Sequence, residues 1–342
     1  MSESVDFLIV GGGISGRLIQ AELIRRGCSP LVYDCPENNR STLIAAGLAN
    51  PLVGKFFTIG WRASEFFGGL DTFYEKLENR LGATFFRPRP MKRIISTAGE
   101  QNMWLSKAHK KKYVGFCEFV NEEVEGLNTE YGMLKVSQGG ELNTERFLQA
   151  CQAMPTVFEW FDHNKLDLNA NKYDDIEFKS IVFAEGYELV NNPLFEDVVK
   201  LIPTKGEILE LETDLHSSGD IYLGGVFLQH VREKLWRVGA TYKPNDTTLN
   251  PTEEMKNDLI SKLDKLIAVP YNVVNHKVGI RPASEDRKPL LGRHPNHKNA
   301  YLFNGMGSKA VSLAPLLATE MCDFILNDTP LQREVDITRF EE

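Results

Sequence analysis

The apolar run Val5-Asp6-Phe7-Leu8-Ile9-Val10 reads as a buried strand. It enters a glycine turn, after which Leu18, Ile19, Ala21, Leu23 and Ile24 recur at helical spacing. Gly27 closes that helix, and Pro30-Leu31-Val32-Tyr33-Asp34 is a second strand, followed by a polar turn over 36–40. Residues 61–81 predict a helix with Phe66, Phe67, Phe73 and Tyr74 on one face. A strand is expected within 85–97, a polar helix over 100–112, and a strand at Met133-Leu134-Lys135-Val136. Gly139-Gly140 opens a helix with Asn143 or Thr144 as its N-cap. Residues 158–162 and 166–168 suggest a short ribbon.

Ile181-Val182-Phe183-Ala184-Glu185-Gly186 is a buried strand ending in small residues. A strand-rich segment follows (204–211, 221–229, 235–240), then an amphipathic helix over 252–267. Residues 279–292 read as a Pro/Gly-rich loop, and Tyr301-Leu302-Phe303 as a strand. A last helix over 310–326 carries Pro315 in its first turns, where proline is tolerated. Strand–helix–strand material thus occurs at both ends and in the middle, with two β-rich insertions between. The pattern predicts an α/β chain, α+β overall. A Rossmann-type nucleotide domain is expected from 1–82, 139–195 and 277–342, and an antiparallel-sheet substrate domain from 83–138 and 196–276.

The 342 residues suffice for about two domains with cores of their own. The net charge of −8 does not favour a nucleic-acid partner. The basic run Lys107, Lys110, Lys111, Lys112 reads as a solvated helix face. Five scattered cysteines lack metal-ligand spacing, so no metal site is expected, and they suggest reduced thiols and a cytoplasmic location. The first strand starts too early for a signal peptide, and no apolar run is expected to span a bilayer.

Gly11, Gly13 and Gly16 match G-x-G-x-x-G in the strand–turn–helix context the motif requires. These glycines serve a tight turn, close approach to a pyrophosphate, and helix–strand packing. The helix N-terminus, at Ile14 and Ser15, offers free N–H groups to phosphate. Asp34 follows Gly16 by 18 residues, near the place of a carboxylate that takes a ribose hydroxyl. At this point FAD and a nicotinamide dinucleotide both fit. Small residues over 45–49, including Ala46, Gly47 and Leu48, let the backbone pass close to a flat ligand; the alternative is a short packed helix.

Seven pieces in order carry a resemblance: residues 11–16 with Asp34; Ala46-Gly47-Leu48; Ala184-Glu185-Gly186; Pro203-Thr204-Lys205-Gly206-Glu207; Val238-Gly239-Ala240-Thr241; Gly279-Ile280-Arg281-Pro282 with Asp286, Pro289 and Gly292; and Gly305-Met306-Gly307-Ser308-Lys309. Together they resemble the FAD-dependent D-amino-acid oxidase and glycine oxidase family over nearly the whole chain. The resemblance implies FAD, a substrate domain with a large antiparallel sheet, and oxidation of the C–N bond of a small amine or amino acid by hydride transfer to flavin. It implies that Gly11, Gly13, Ile14, Ser15 and Gly16 hold the pyrophosphate and Asp34 the ribose. Ala46, Gly47, Leu48, Ala184 and Gly186 would also contact the cofactor. Gly305, Met306, Gly307, Ser308 and Lys309 would donate N–H groups to the flavin's pyrimidine end.

Arg281 matches the arginine of the family's G-x-R-P motif, which pairs with a substrate carboxylate. The alternative is a salt bridge to Glu285 or Asp286. Where the family carries a substrate-strand tyrosine, this chain has Phe227; Tyr222, Gln229 and His230 are the expected substitutes. No cysteine lies between Cys151 and Cys322, which implies non-covalent FAD by comparison with sarcosine oxidases. Residues 307–310 and Ala314-Pro315 also resemble the FAD half of the bifunctional tRNA wobble-uridine-modifying enzyme, with Ala310 in place of a glycine. Two alternatives accompany amine oxidation: oxidative demodification of a carboxymethylaminomethyl-type nucleoside, and a flavin-binding subunit without catalysis.

Overall fold

A computed structural model describes residues 3–35, 40–54 and 56–341. The polar turn expected over 36–40 falls mostly on 36–39, outside the described residues.

The first sheet is built around Glu3–Val10, whose last four residues are buried: Phe7 and Ile9 against α-helices, Leu8 and Val10 against Phe161, Tyr173, Leu189 and Phe195. Parallel strands are ordered Thr156–Val157, Pro30–Tyr33, Glu3–Val10, Ile176–Phe183, His297–Asn304, and Leu290–His294 adds an antiparallel edge. Helix Ile14–Arg25 ends as its glycine predicts. Gly27 is left-handed at φ 81°, its N–H donates to the Ile24 carbonyl, and Cys28 N–H donates to that of Leu23.

The last helix, Ala310–Asn327, packs on helix Ile14–Arg25. Pro315 cannot donate to the Val311 carbonyl, and the buried hydroxyl of Tyr74 donates to it instead, at 2.8 Å. The expectation that no segment is long and apolar enough for a membrane fails here. This helix qualifies by length and composition, but half of it is buried in the first core with Leu317, Ala318 and Met321.

A second sheet runs Lys243–Pro244, Leu201–Thr213, Leu235–Gly239, Phe227–Arg232, Ile221–Leu223, Met91–Ile94, Met133–Val136, Cys117–Val120, with Tyr271–Ser284 on the free side of Leu201–Thr213. Strands from 83–138 and from 196–276 join where Ile221–Leu223 pairs parallel with Met91–Ile94. Its core is Trp236, Leu209, Leu228 and Val238 against helix Glu253–Leu263, whose Thr252 cap accepts from Met255 N–H.

Four expectations are corrected. Residues 279–292 are a loop only over 285–289: Tyr271–Ser284 pairs with Leu201–Thr213 along its whole length, so a boundary at 276/277 cuts through a strand. The proline that suggested a loop, Pro282, lies opposite Pro203; both carbonyls point outward, to Gly307 and Asn245 N–H respectively, so at this pair the ladder needs no donor from either proline. The helix over 61–81 is two helices, Ala63–Gly68 and Leu70–Leu81, broken at Gly69. The polar helix is Ala98–Lys107, capped by Thr97, and most of the basic run lies beyond it; Lys107 sits on the Trp104 ring. Residues 158–162 and 166–168 form no ribbon, since Thr156–Val157 joins Pro30–Tyr33 and Leu166–Asp167 joins Lys172–Tyr173.

Candidate active site

The glycine turn sits at the carboxyl ends of the parallel strands, where open α/β sheets place ligands. Gly11 has φ 100°, and a Cβ there would lie 2.6 Å from the Ala184 carbonyl oxygen. A Cβ at Gly16 would fall on the Gly11 carbonyl. These two glycines serve packing. Gly13 differs, because a Cβ there would meet only Thr42 Oγ1, at 3.4 Å, so its open side faces a cavity of about 530 Å³. Gly11, Gly13, Ile14, Ser15, Asp34, Ala184, Gly186, Met306, Gly307 and Ser308 line that cavity. Ile14 N–H donates to Thr42 Oγ1 at 3.1 Å, whereas the N–H groups of Gly13 and Ser15 donate to nothing among the described residues. Helix Ile14–Arg25 therefore presents an uncapped positive end to the cavity.

Asp34 is buried, and its carboxylate is already engaged. Gly12 N–H donates to Oδ1 at 3.2 Å, Arg40 Nη2 to Oδ2 at 2.6 Å, and Arg17 Nη2 lies 3.5 Å away. A carboxylate has about four acceptor sites, so room for a ribose hydroxyl remains. Arg17 and Arg40 escaped the sequence reading, which looked for the acid and not for its partners. The only signal was Arg40's place just before the Ser41–Ile44 helix.

At the far end, residues 304–311 turn from strand His297–Asn304 into the last helix. Gly305 and Gly307 adopt φ 72° and 58°. The N–H donors expected from 305–309 are partly spent within the protein: Gly305 donates to Asn304 Oδ1, Gly307 to the Pro282 carbonyl, and Lys309 to that of Met306. Among the described residues the free donors are Met306, Ser308, Ala310 and Val311, and all four line the cavity. The Lys309 side chain lines a separate, smaller cavity.

Ala46, Gly47 and Leu48 lie outside the large cavity. The Ala46 carbonyl accepts from Gln229 Nε2 at 2.9 Å, and that of Gly47 from Leu142 N–H at 2.8 Å. Leu48–Ala49 pairs with Gly140–Leu142. Gln229 is buried and also donates to Glu141 Oε1 at 2.7 Å, while its own Oε1 has no partner. His230 is not brought to this stretch. Side chains alternate along Phe227–Arg232, which turns His230 to the opposite face. There its ring lies 5.0 Å from that of Trp236, and its Nε2 contacts the Glu233 carbonyl. Tyr222 is a core residue bonded to Ser218.

Arg281 stands opposite Thr204 in the second sheet, and its guanidinium lies over Gly206, where a Cβ would collide with it. It is half-buried, and desolvation pulls its pKa below the usual arginine value. Its one hydrogen bond is from Nη1 to the Lys205 carbonyl at 3.3 Å, and no carboxylate pairs with it among the described residues. Glu285 is bound to Lys200 and Asp286 to Arg339, which removes the salt-bridge alternative. The aromatic neighbour of Arg281 is Tyr242, with Cζ 5.8 Å from the ring centroid. Sequence reading missed Tyr242, because only the strand pairing brings 242 beside 281.

The family model described as FAD dependent oxidoreductase (DAO) matches residues 6–324. The chain belongs to the DAO family of FAD-dependent oxidoreductases. Within the family, a relative is the tRNA 5-methylaminomethyl-2-thiouridine biosynthesis bifunctional protein MnmC of Marinobacter nauticus, 22% identical over 97% of this chain and 58% of its own length. Glycine oxidase of Bacillus subtilis is 26% identical over 37% of this chain and 35% of its own length. The chain thus spans under two thirds of these curated relatives. Among solved structures, glycine oxidase from Geobacillus kaustophilus superposes with a TM-score of 0.79 at 17% identity, covering 96% of both chains. Such a likeness gives the DAO-family fold. The cofactor is FAD, and the open side of Gly13 with two groups of free N–H donors at two helix N-termini fits its pyrophosphate and electron-rich ring.

Proposed function

We propose that this enzyme oxidises the C–N bond of a small, carboxylate-bearing amine with non-covalent FAD. The observation that carries the reading is Arg281, a half-buried guanidinium with one backbone hydrogen bond and no carboxylate partner among the described residues. Such a group is completed by an anion that accepts from its fork. The glycine oxidase relatives act on a substrate of this class, as their name states.

FAD, when bound, supplies the two-electron acceptor. The chain's own residues do the rest. Gly13, Ile14 and Ser15 form the pyrophosphate cradle, Gly16 packs the turn beneath them, and Asp34, held by Arg17 and Arg40, takes the ribose. Ser308, Ala310 and Val311 direct N–H groups and the helix's positive end at the place where negative charge accumulates. Arg281 holds the substrate carboxylate, Gly206 lets the guanidinium lie flat, and Tyr242 walls the site. Gln229 positions the 46–48 stretch through Ala46. We read the first sheet as the cofactor domain and the second, through Ser284, as the substrate domain. Cys35 is the cysteine at the large cavity, on the Asp34 side and away from Arg281, which supports non-covalent FAD. The five free cysteines support a cytoplasmic location.

The test is an anaerobic screen of amines against flavin absorbance. Amino acids and N-substituted glycines are expected to bleach the flavin, and amines lacking a carboxylate are not. Bleaching by dithionite with none by any amine would sink the reading and leave a flavin-binding protein without this catalysis. A second reading, demodification of a carboxymethylaminomethyl-type nucleoside, is favoured by the alignment of 97% of this chain with the bifunctional tRNA enzyme.

A further inference from the structure

A second cavity, of about 80 Å³, lies on the other side of the last helix's first turn from the large one. Arg287, Lys288 and Lys309 line it together with Trp61, Phe67 and Asn50, and no carboxylate is among its lining residues. None of the three cations has an ion-pair partner among the described residues. Lys288 Nζ lies 4.0 Å from the Trp61 ring centroid, which orients it without neutralising it. The loop carrying two of them is rigidly held: Asp286 accepts from Lys288 N–H at 3.0 Å and is clamped by Arg339 at 2.8 Å. Asp286 is thereby committed to Arg339. Desolvation lowers the pKa of both lysines; Glu334 and Asp286 oppose this at Lys288 without an ion pair, and repulsion from Lys288 and Arg287 lowers that of Lys309 further. Three like charges are thus concentrated at one small cavity in a chain whose net charge is −8.

We propose that Arg287, Lys288 and Lys309 form a phosphate-binding subsite that seats a phosphate carried by the amine substrate. The assignment to a substrate rests on the reading of the neighbouring site as an amine-oxidising one. A carboxylate would bring one negative charge to three cations, whereas a phosphomonoester brings about 1.5 to 2 and three acceptor oxygens. The hydrogen bond from Gly307 N–H to the Pro282 carbonyl ties the segment leading to Lys309 to the strand bearing Arg281. On this proposal, one substrate places its carboxylate on Arg281 and its phosphate here. The phosphate can belong to a phosphorylated small amine or to the backbone of an oligonucleotide.

FAD-loaded protein is titrated calorimetrically with inorganic phosphate at constant ionic strength set by chloride. Saturable binding is expected, weakened about tenfold or more in the Arg287→Gln/Lys288→Gln double variant. Heat that does not saturate, or equal affinity in a double variant with a normal flavin spectrum, overturns the subsite. The wild-type protein provides a check independent of that variant's folding. Phosphate is expected to protect Lys288 and Lys309 from acetylation while exposed Lys298 reacts unchanged; no protection overturns the proposal. Competition by a nucleoside 5′-monophosphate alone assigns a phosphomonoester, and competition by a short oligoribonucleotide with hydroxyl ends assigns a phosphodiester. Competition by neither overturns the link to a substrate phosphate. None of these readouts involves turnover, so failure of amine oxidation is seen separately.

Discussion

The two ends of the candidate site are built in opposite ways. At the proposed ribose end, Asp34 is held by its own chain: Gly12 N–H, Arg40 and Arg17 all meet its carboxylate. At the substrate end, Arg281 is desolvated and nearly bare, with a single 3.3 Å bond to a carbonyl. At the first end the carboxylate is balanced by its own chain, because two guanidiniums face it. The second carries an uncompensated charge that a bound anion relieves. On the proposed reading, cofactor binding is preorganised and recognition of the substrate carboxylate falls to one guanidinium.

That contrast can be broken by substitution. The largest effect is expected within the glycine loop. Gly16→Ala drives a methyl into the Gly11 carbonyl and should cost folded protein, seen as loss of soluble yield or a large drop in Tm. Gly13→Val should leave the fold intact and abolish FAD binding, because its side chain enters the cavity and not the protein. Equal damage from both would deny that Gly13 faces the cofactor. Next is Arg281→Ala. A charge-assisted two-point contact contributes on the order of 1.5–3 kcal/mol. Substrate binding should weaken roughly 10- to 150-fold, at about 1.4 kcal/mol per tenfold, with FAD content unchanged. Arg281→Lys should recover part of it, since an ammonium lacks the fork. Loss of FAD with substrate affinity intact would make Arg281 a flavin-side residue.

Asp34→Asn should act more mildly, weakening FAD about tenfold, because it removes a ribose acceptor and leaves Arg17 and Arg40 unbalanced. Equilibrium dialysis of FAD measures it, and an unchanged affinity would mean that Asp34 serves only the arginines. The smallest effect concerns thiols. Burial pushes the Cys151 thiol up to about 12, so it should resist iodoacetamide at neutral pH, whereas Cys35, at the cavity, should react and be slowed by FAD. Mass spectrometry of the labelled peptides reads both, and labelling of Cys35 indifferent to FAD would place the cofactor elsewhere.

Much of the site was legible because its signals are local. The glycine turn, Asp34 and the G-x-R-P arginine are each set by neighbours in sequence. The misreadings were also local in origin. Pro282 and the glycines of 279–292 carried loop signals, yet fourteen residues of strand won because an equally long partner lay alongside. His230 was offered beside Tyr222 and Gln229 as a substitute for the missing tyrosine, while the alternation along its strand sends Gln229 and His230 to opposite faces.

The glycine turn and the alternation of buried strand and helix are written in the chain, because hydrophobic period and glycine geometry act over a few residues; Arg281 was singled out by the resemblance of its G-x-R-P motif to the family. Tertiary structure decided which groups are paired and which are left free. Lys205 pairs with Ile280 on one side and Lys243 on the other, and that register is what sets Tyr242 beside Arg281. Lys200 and Arg339 take up Glu285 and Asp286 and leave Arg281 without either. Arg287, Lys288 and Lys309 likewise meet only through the close approach of a loop and a helix end. Electrostatic pairing depends on distance through space, and spacing along the chain does not encode it.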